Sequence, residues 1–120
     1  SGGVPAMPRY QITLTNHSAG RYRGVLADLE SRSQIDFPEC SKHRQDGRSV
    51  ITGHSSTDLP GWFLEMSFVG DGVFSITLSD PHFRIEFPAC ELDETDSEPR
   101  IVGWTDDVQV LREKNKVNAA

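Results

Sequence analysis

Residues 34–40 read QIDFPEC and residues 84–90 read RIEFPAC, the same seven-residue phrase 50 positions apart. A chain of 120 residues that writes one phrase twice has room for a single domain built from two like halves. Sliding the chain against itself by this offset extends the match without a gap. Leu14 falls on Leu64, Gly20 on Gly70, Asp46 on Asp96, Ile51 on Ile101 and Gly53 on Gly103. Within the phrase, Ile35, Phe37, Pro38 and Cys40 fall on Ile85, Phe87, Pro88 and Cys90. Conservative pairs lie between, such as Leu26 with Ile76, Glu30 with Asp80, Asp36 with Glu86 and Ser55 with Thr105. Identity concentrates on Gly, Pro and apolar positions, which decide backbone shape and core faces. Duplication is the expectation, with residues 9–58 and 59–108 as the repeats.

Each repeat reads as four short strands. In the first they cover residues 9–16, 21–29, 33–37 and 49–55; in the second, 62–69, 73–78, 82–87 and 100–105. The signal is period-two alternation. Tyr10, Ile12 and Leu14 share one face; so do Trp62, Leu64, Met66 and Phe68, and again Phe83, Ile85 and Phe87. Turn chemistry separates the strands: NHSAG at 16–20, GDG at 70–72 and SDP at 79–81. Pro38 and Pro88 are expected to end their strands, because proline cannot donate to a ladder. Polar loops then follow at 41–48 and 91–99. Residues 108–111 suit a ninth strand, and the tail 109–120 ends frayed or in a short helical turn. The fold class is therefore all-β: an antiparallel sandwich or partly closed barrel of about eight strands, its two duplicated four-strand halves related by a pseudo-twofold axis.

This pairing of four-strand repeats resembles the βγ-crystallin domain, with Phe63 and Gly70 at a spacing that family uses. The resemblance implies two Greek-key motifs. The family's calcium motif and closing serine pattern are not recognisable here, so no residue role is carried over.

Hydrophobic residues make up 36% of the chain and charged residues 25%, ordinary values for a globular domain. Residues 1–6 read as a cloning remnant before Met7, and residues 7–120 as one β domain. No charged and apolar leader follows Met7 and no apolar run spans a bilayer, so a cytoplasmic location with no membrane contact is expected. Two cysteines in that compartment are expected to stay reduced. Net charge is −6. Phosphate-tracking proteins need a basic face, so direct nucleic-acid binding is disfavoured and a basic protein partner is favoured. Monomer and homodimer both remain open.

The two polar loops match in length and differ in charge. Residues 41–48 are mildly basic; residues 91–99 hold Glu91, Asp93, Glu94, Asp96 and Glu98, with Asp106 and Asp107 nearby in sequence. Divergence on equivalent loops is where function is sought. Together with Trp104, an aromatic of the kind that anchors interfaces, these acidic residues form the expected partner-binding surface. Their spacing fits no EF-hand loop. Cys40 and His43 form a C-x2-H whose counterparts are Cys90 and Asp93, a weak zinc pattern; buried structural cysteines are the expectation, with no metal and no cofactor. No G-x-S-x-G, phosphate loop or dinucleotide fingerprint occurs, and no nucleophile–base–orienter set emerges, so catalysis is not expected. The function expected is a small acidic protein-binding module of the inhibitor or immunity type, acting on a basic toxin or nuclease. Two alternatives stand beside it. One is a carbohydrate or small-ligand module using the cleft between the halves; the other is a cysteine-dependent enzyme using Cys40 and His43.

Overall fold

Each strand here has one apolar face, and the only surface available to cover it is another strand. The computed structural model, which describes residues 7–56, 61–95 and 98–111, shows how that is solved. The strands are β1 (Tyr10–Ser18), β2 (Arg21–Asp28), β3 (Ser33–Gln45), β4 (Arg48–His54), β5 (Phe63–Gly70), β6 (Val73–Ser79), β7 (Phe83–Asp93), β8 (Arg100–Thr105) and β9 (Val108–Val110). No helix occurs among the described residues. Every strand from β1 to β8 pairs antiparallel with the next, and β8 closes onto β1. The result is an eight-stranded closed barrel, neither sandwich nor open sheet. The consecutive order is an up-and-down meander, which replaces the Greek-key order implied by the crystallin resemblance. β9 adds outside the eight, against the start of β7.

An eight-strand barrel is just wide enough for side chains to fill. Ile12, Phe37, Cys40, Leu64, Ile76, Leu78 and Cys90 are wholly hidden from solvent, and among the described residues no polar or charged residue is buried with them. The alternation read from the sequence is the inward face of the barrel.

The repeated phrase has a different role from the one expected. Pro38 and Pro88 do not end strands; β3 and β7 run straight through them. Tyr22 faces Cys40 and Gly24 faces Phe37, so Arg23 alone opposes Pro38 and Glu39. Likewise Ser75 alone opposes Pro88 and Ala89. Each proline therefore sits in a β-bulge, one of the few places a sheet tolerates it. The extra residue shifts the alternation by one, so Phe37 and Cys40, three apart, both point inward. The residues beyond are strand, not loop: the tight turn of the first half is at Asp46 and Gly47, both with positive φ.

The ladders also correct the single offset. The β1–β2 hairpin matches the β5–β6 hairpin 52 positions on: Ile12 facing Leu26 corresponds to Leu64 facing Leu78. The positive-φ turn glycine Gly20 corresponds to Gly72, not Gly70. Leu14 likewise corresponds to Met66, and Leu26 to Leu78. From β3 and β7 onward the offset is 50, as the repeated phrase requires. Between equivalent ladder pairs, the stretch from Ala27 to Gln34 is two residues longer than that from Ser79 to Arg84, which accounts for the change. In this register the two halves share one strand direction, so their pseudo-twofold axis runs along the barrel. The tail beyond residue 111 lies outside the described residues.

Beyond each bulge, the cysteine meets a glycine of the next strand. Cys40 pairs with Gly53, and a Cβ added at Gly53 or Gly103 would drive into the sulfur of Cys40 or Cys90. Gly103→Ala is expected to cost roughly 1–3 kcal/mol as an overpacking change. Cys90→Ala should relieve most of that cost, because the sulfur is the main obstacle. Relief at Gly53→Ala by Cys40→Ala should be smaller, since Cys40 Cα and Cβ also lie 3.0 and 3.1 Å from the added carbon. Denaturant midpoints of the single and double variants measure the coupling; additive costs would refute the contact.

Candidate functional site

A filled barrel leaves its two mouths for binding. At one mouth, the hairpin mouth, lie the β1–β2, β3–β4, β5–β6 and β7–β8 connections. At the other, the corner mouth, lie the start of β1, the corners after β2 and β6, Trp62, and β9.

The expected partner surface divides between them. Glu91, Asp93, Glu94 and Glu98 stand at the hairpin mouth. Asp106 and Asp107 stand past the far end of β8, at the corner mouth. The six residues of β8 separate the two groups by about 20 Å at ~3.3 Å per residue. Trp104 lies near the corner end of β8, opposite Gln11 on β1, with 54% of its surface exposed. Asp106 is a structural tie: its Oδ1 accepts a hydrogen bond from the Arg9 backbone N–H at 2.6 Å. Asp107 accepts one from the Glu86 N–H through its carbonyl. Asp96 lies outside the described residues.

At the hairpin mouth, Asp93 is committed locally. Its carboxylate accepts hydrogen bonds from the Thr95 N–H and hydroxyl and lies 3.7 Å from Arg100. The Thr95 bonds, aided by Arg100, hold its pKa below the usual carboxylate range. Glu91, Glu94 and Glu98 are exposed, and among the described residues no ion pair ties them down. The same mouth carries an apolar group that the sequence alone did not place there. Phe68 is 50% exposed, Val69 61% and Leu92 48%. Phe68 rests against Phe74 with ring centroids 5.2 Å apart. By alternation Phe68 and Leu92 belong to the inward face; they lie beyond the rim, where the barrel no longer covers them. On the other flank, Lys42 and Arg48 border a groove with Phe68 and Val69.

The corner mouth holds a half-open cavity of about 400 Å³ lined from both halves of the chain. Tyr10 and Ile35 from the first half face Trp62, Phe83 and Ile85 from the second. Trp62, which shares its face with Leu64 and Met66, packs against the core as part of this wall and is half-buried. Its rim carries Arg9, which donates to both oxygens of Asp28 at 3.2 and 3.1 Å and lies 3.6 Å from Glu30. The guanidinium also sits 5.1 Å from the centre of the Tyr10 ring.

Comparison of the chain with protein-family profiles, curated proteins and solved structures finds no match. Chemistry must therefore be read from the site alone.

The cysteine–histidine pairing does not form. Cys40 points into the barrel, while His43, three residues on, lies on the exposed face of β3. Both cysteines are free, and each thiol donates to a phenylalanine carbonyl: Cys40 to Phe37 at 3.7 Å, Cys90 to Phe87 at 3.6 Å. Burial pushes both thiols up to about 11. Among the described residues no three His, Cys, Asp or Glu side chains gather as a metal site, so Cys40, His43, Cys90 and Asp93 do not converge. Among the described residues there is no helix long and apolar enough to cross a membrane.

Two measurements check this electrostatic and thiol geometry. A thiol reagent at pH 8 should leave both cysteines unlabelled in the folded protein and label both in denaturant; labelling of folded Cys40 would restore the nucleophile reading. Arg9, with the N–H groups of Ser31 and Glu30, holds the Asp28 carboxyl far below its ordinary value of 3.8. A depressed folded pKa stabilises the protein above that ordinary value, and the contribution is lost as acid protonates the folded carboxylate. Asp28→Asn should therefore melt lower than wild type at neutral pH, and the gap should close as pH falls below 3.8. A gap independent of pH would refute the ion pair.

Proposed function

We propose that the protein is a non-enzymatic binding module that engages a basic protein partner at its hairpin mouth, in the manner of an inhibitor or immunity protein. The carrying observation is that one mouth exposes the apolar side chains Phe68, Val69 and Leu92 and also carries the exposed carboxylates Glu91, Glu94 and Glu98. An apolar centre with a charged rim is the anatomy of protein interfaces, and exposed patches of this kind mark interaction sites. The carboxylates favour a basic counterpart and speed its encounter, while the aromatic and aliphatic group supplies the burial that holds it. Net charge of −6 acts in the same direction at long range. The basic flank at Lys42 and Arg48 orients the partner, whose own acidic edge would lie on that side.

Asp93 is a poor position to test, because its loss would disorder the loop it caps. Glu91→Lys, Glu94→Lys and Glu98→Lys together remove the attraction without touching a structural bond. A tagged chain used as bait in lysate of its native host is expected to retain a basic protein. Purified, that protein should bind at least tenfold more weakly to the triple variant, with the loss concentrated in the association rate, and Phe68→Ser should raise dissociation. Unchanged affinity in both variants would overturn this surface. Elution of the chain alone at dimer mass, lost in the same variants, would make the partner a second copy.

A further inference from the structure

The corner mouth is built from different material, and we propose that it is a second binding site, taking a small apolar molecule that carries a protonated amine. Three features support this occupant. The cavity of about 400 Å³ is in the range of small-ligand sites, and barrel mouths are a common place for them. Its walls present Tyr10, Trp62 and Phe83, aromatic rings contributed by both halves. Its rim sets two carboxylates, Asp28 and Glu30, against the Arg9 guanidinium, and a third, Asp106, on the Arg9 backbone N–H.

That charge balance decides the sign of the ligand. Arg9 is held by Asp28 at both oxygens and by Glu30 at 3.6 Å, so an anion would have to compete with carboxylates already in place. A cation instead meets Glu30, three-quarters exposed, whose 3.6 Å contact with Arg9 is longer than the Asp28 bonds and can be exchanged for the ligand. Aromatic faces add to the same preference, since cations over tyrosine and tryptophan rings are attracted by the ring quadrupole. The protein already makes one such contact, with the Arg9 guanidinium 5.1 Å from the Tyr10 ring centre. The apolar body of the ligand would lie between Trp62 and Phe83, and its ammonium group at the Glu30 side of the rim.

The pseudo-symmetry supplies a test that fills the site without cutting into the core. Ser33 lines the cavity and is exposed, and its counterpart 50 positions on is Phe83. Ser33→Phe thus places at one wall the side chain that the other wall already has. The probes are a matched pair: dansylcadaverine, with an ammonium group, and dansylglycine, with a carboxylate. Dansylcadaverine is expected to bind saturably with a blue-shifted emission, at least about tenfold more tightly than dansylglycine. Ser33→Phe should weaken it at least tenfold, and Glu30→Lys should abolish the preference between the two probes. Glu30 is on the exposed rim, so that variant remains informative even where Ser33→Phe disturbs folding. Absence of saturable binding, equal affinity for the two probes, or affinity unchanged by both variants would overturn the site. Charge reversal of Glu91, Glu94 and Glu98 at the opposite mouth should leave dansylcadaverine binding intact, which separates this site from the protein-binding surface.

Discussion

The bulge at Pro38 and its twin at Pro88 is the feature on which the barrel depends. An unbroken strand that points Phe37 inward would point Cys40 outward. Inserting one residue against Arg23 reverses the phase, and both side chains enter the core. The bulge also marks a change of neighbours. Before it, β3 pairs with β2; after it, β3 pairs with β4 as well, starting at Glu39 facing His54. β7 behaves alike, meeting β9 before its bulge and β8 after. A closed barrel needs stagger between its strands, and these two long bulged strands provide it. The glycine opposite each cysteine then lets the walls approach, with the thiol filling the space a Cβ would take.

Much of this is written in the sequence in a form that alternation exposes. Ile12 with Leu14, Leu64 with Met66, and Ile85 with Phe87 are inward pairs in the ladder as in the pattern. The consequence of Pro38 was not legible, because the same residue ends an ordinary strand and sits within a bulged one; the difference lies in whether the partner strand has a spare residue. The offset of 52 in the hairpins was hidden for a related reason. Chance identities at 50, such as Gly20 with Gly70, obscured the two-residue difference in a corner whose length only the paired ladders fix. The acidic surface failed as one unit for a simpler reason: residues close in sequence along a strand are far apart in space. Glu98 and Asp106 bracket β8 and so stand at opposite mouths.

Pseudo-symmetry along the barrel axis separates what the halves share from what they do not. The shared positions, Phe37 with Phe87 and Cys40 with Cys90, are walls. The unshared ones gather at the ends. Ser33 stands where the other half has Phe83, and the 41–48 hairpin is basic where the 91–98 hairpin is acidic. A repeat that must close one core tolerates little change in its walls, since any misfit is felt through close packing. Its mouths carry no such constraint.

This division explains why the two ends can differ so much in chemistry without competing for stability. Among the described residues no polar or charged residue is buried in the core, so no side-chain network of such residues runs through it from one mouth to the other. Each end is instead fixed by local bonds: Asp93 to Thr95 and Arg100 at one, Asp28 and Asp106 to Arg9 at the other. Substitutions at Glu94 and at Glu30 are therefore far apart and share no partners, the condition under which free energies add. A barrel sealed by hydrocarbon in the middle gives one short chain two surfaces that respond to charge independently. If the two proposed sites are right, a macromolecule at the hairpin mouth and a small cation at the corner mouth would not exclude each other.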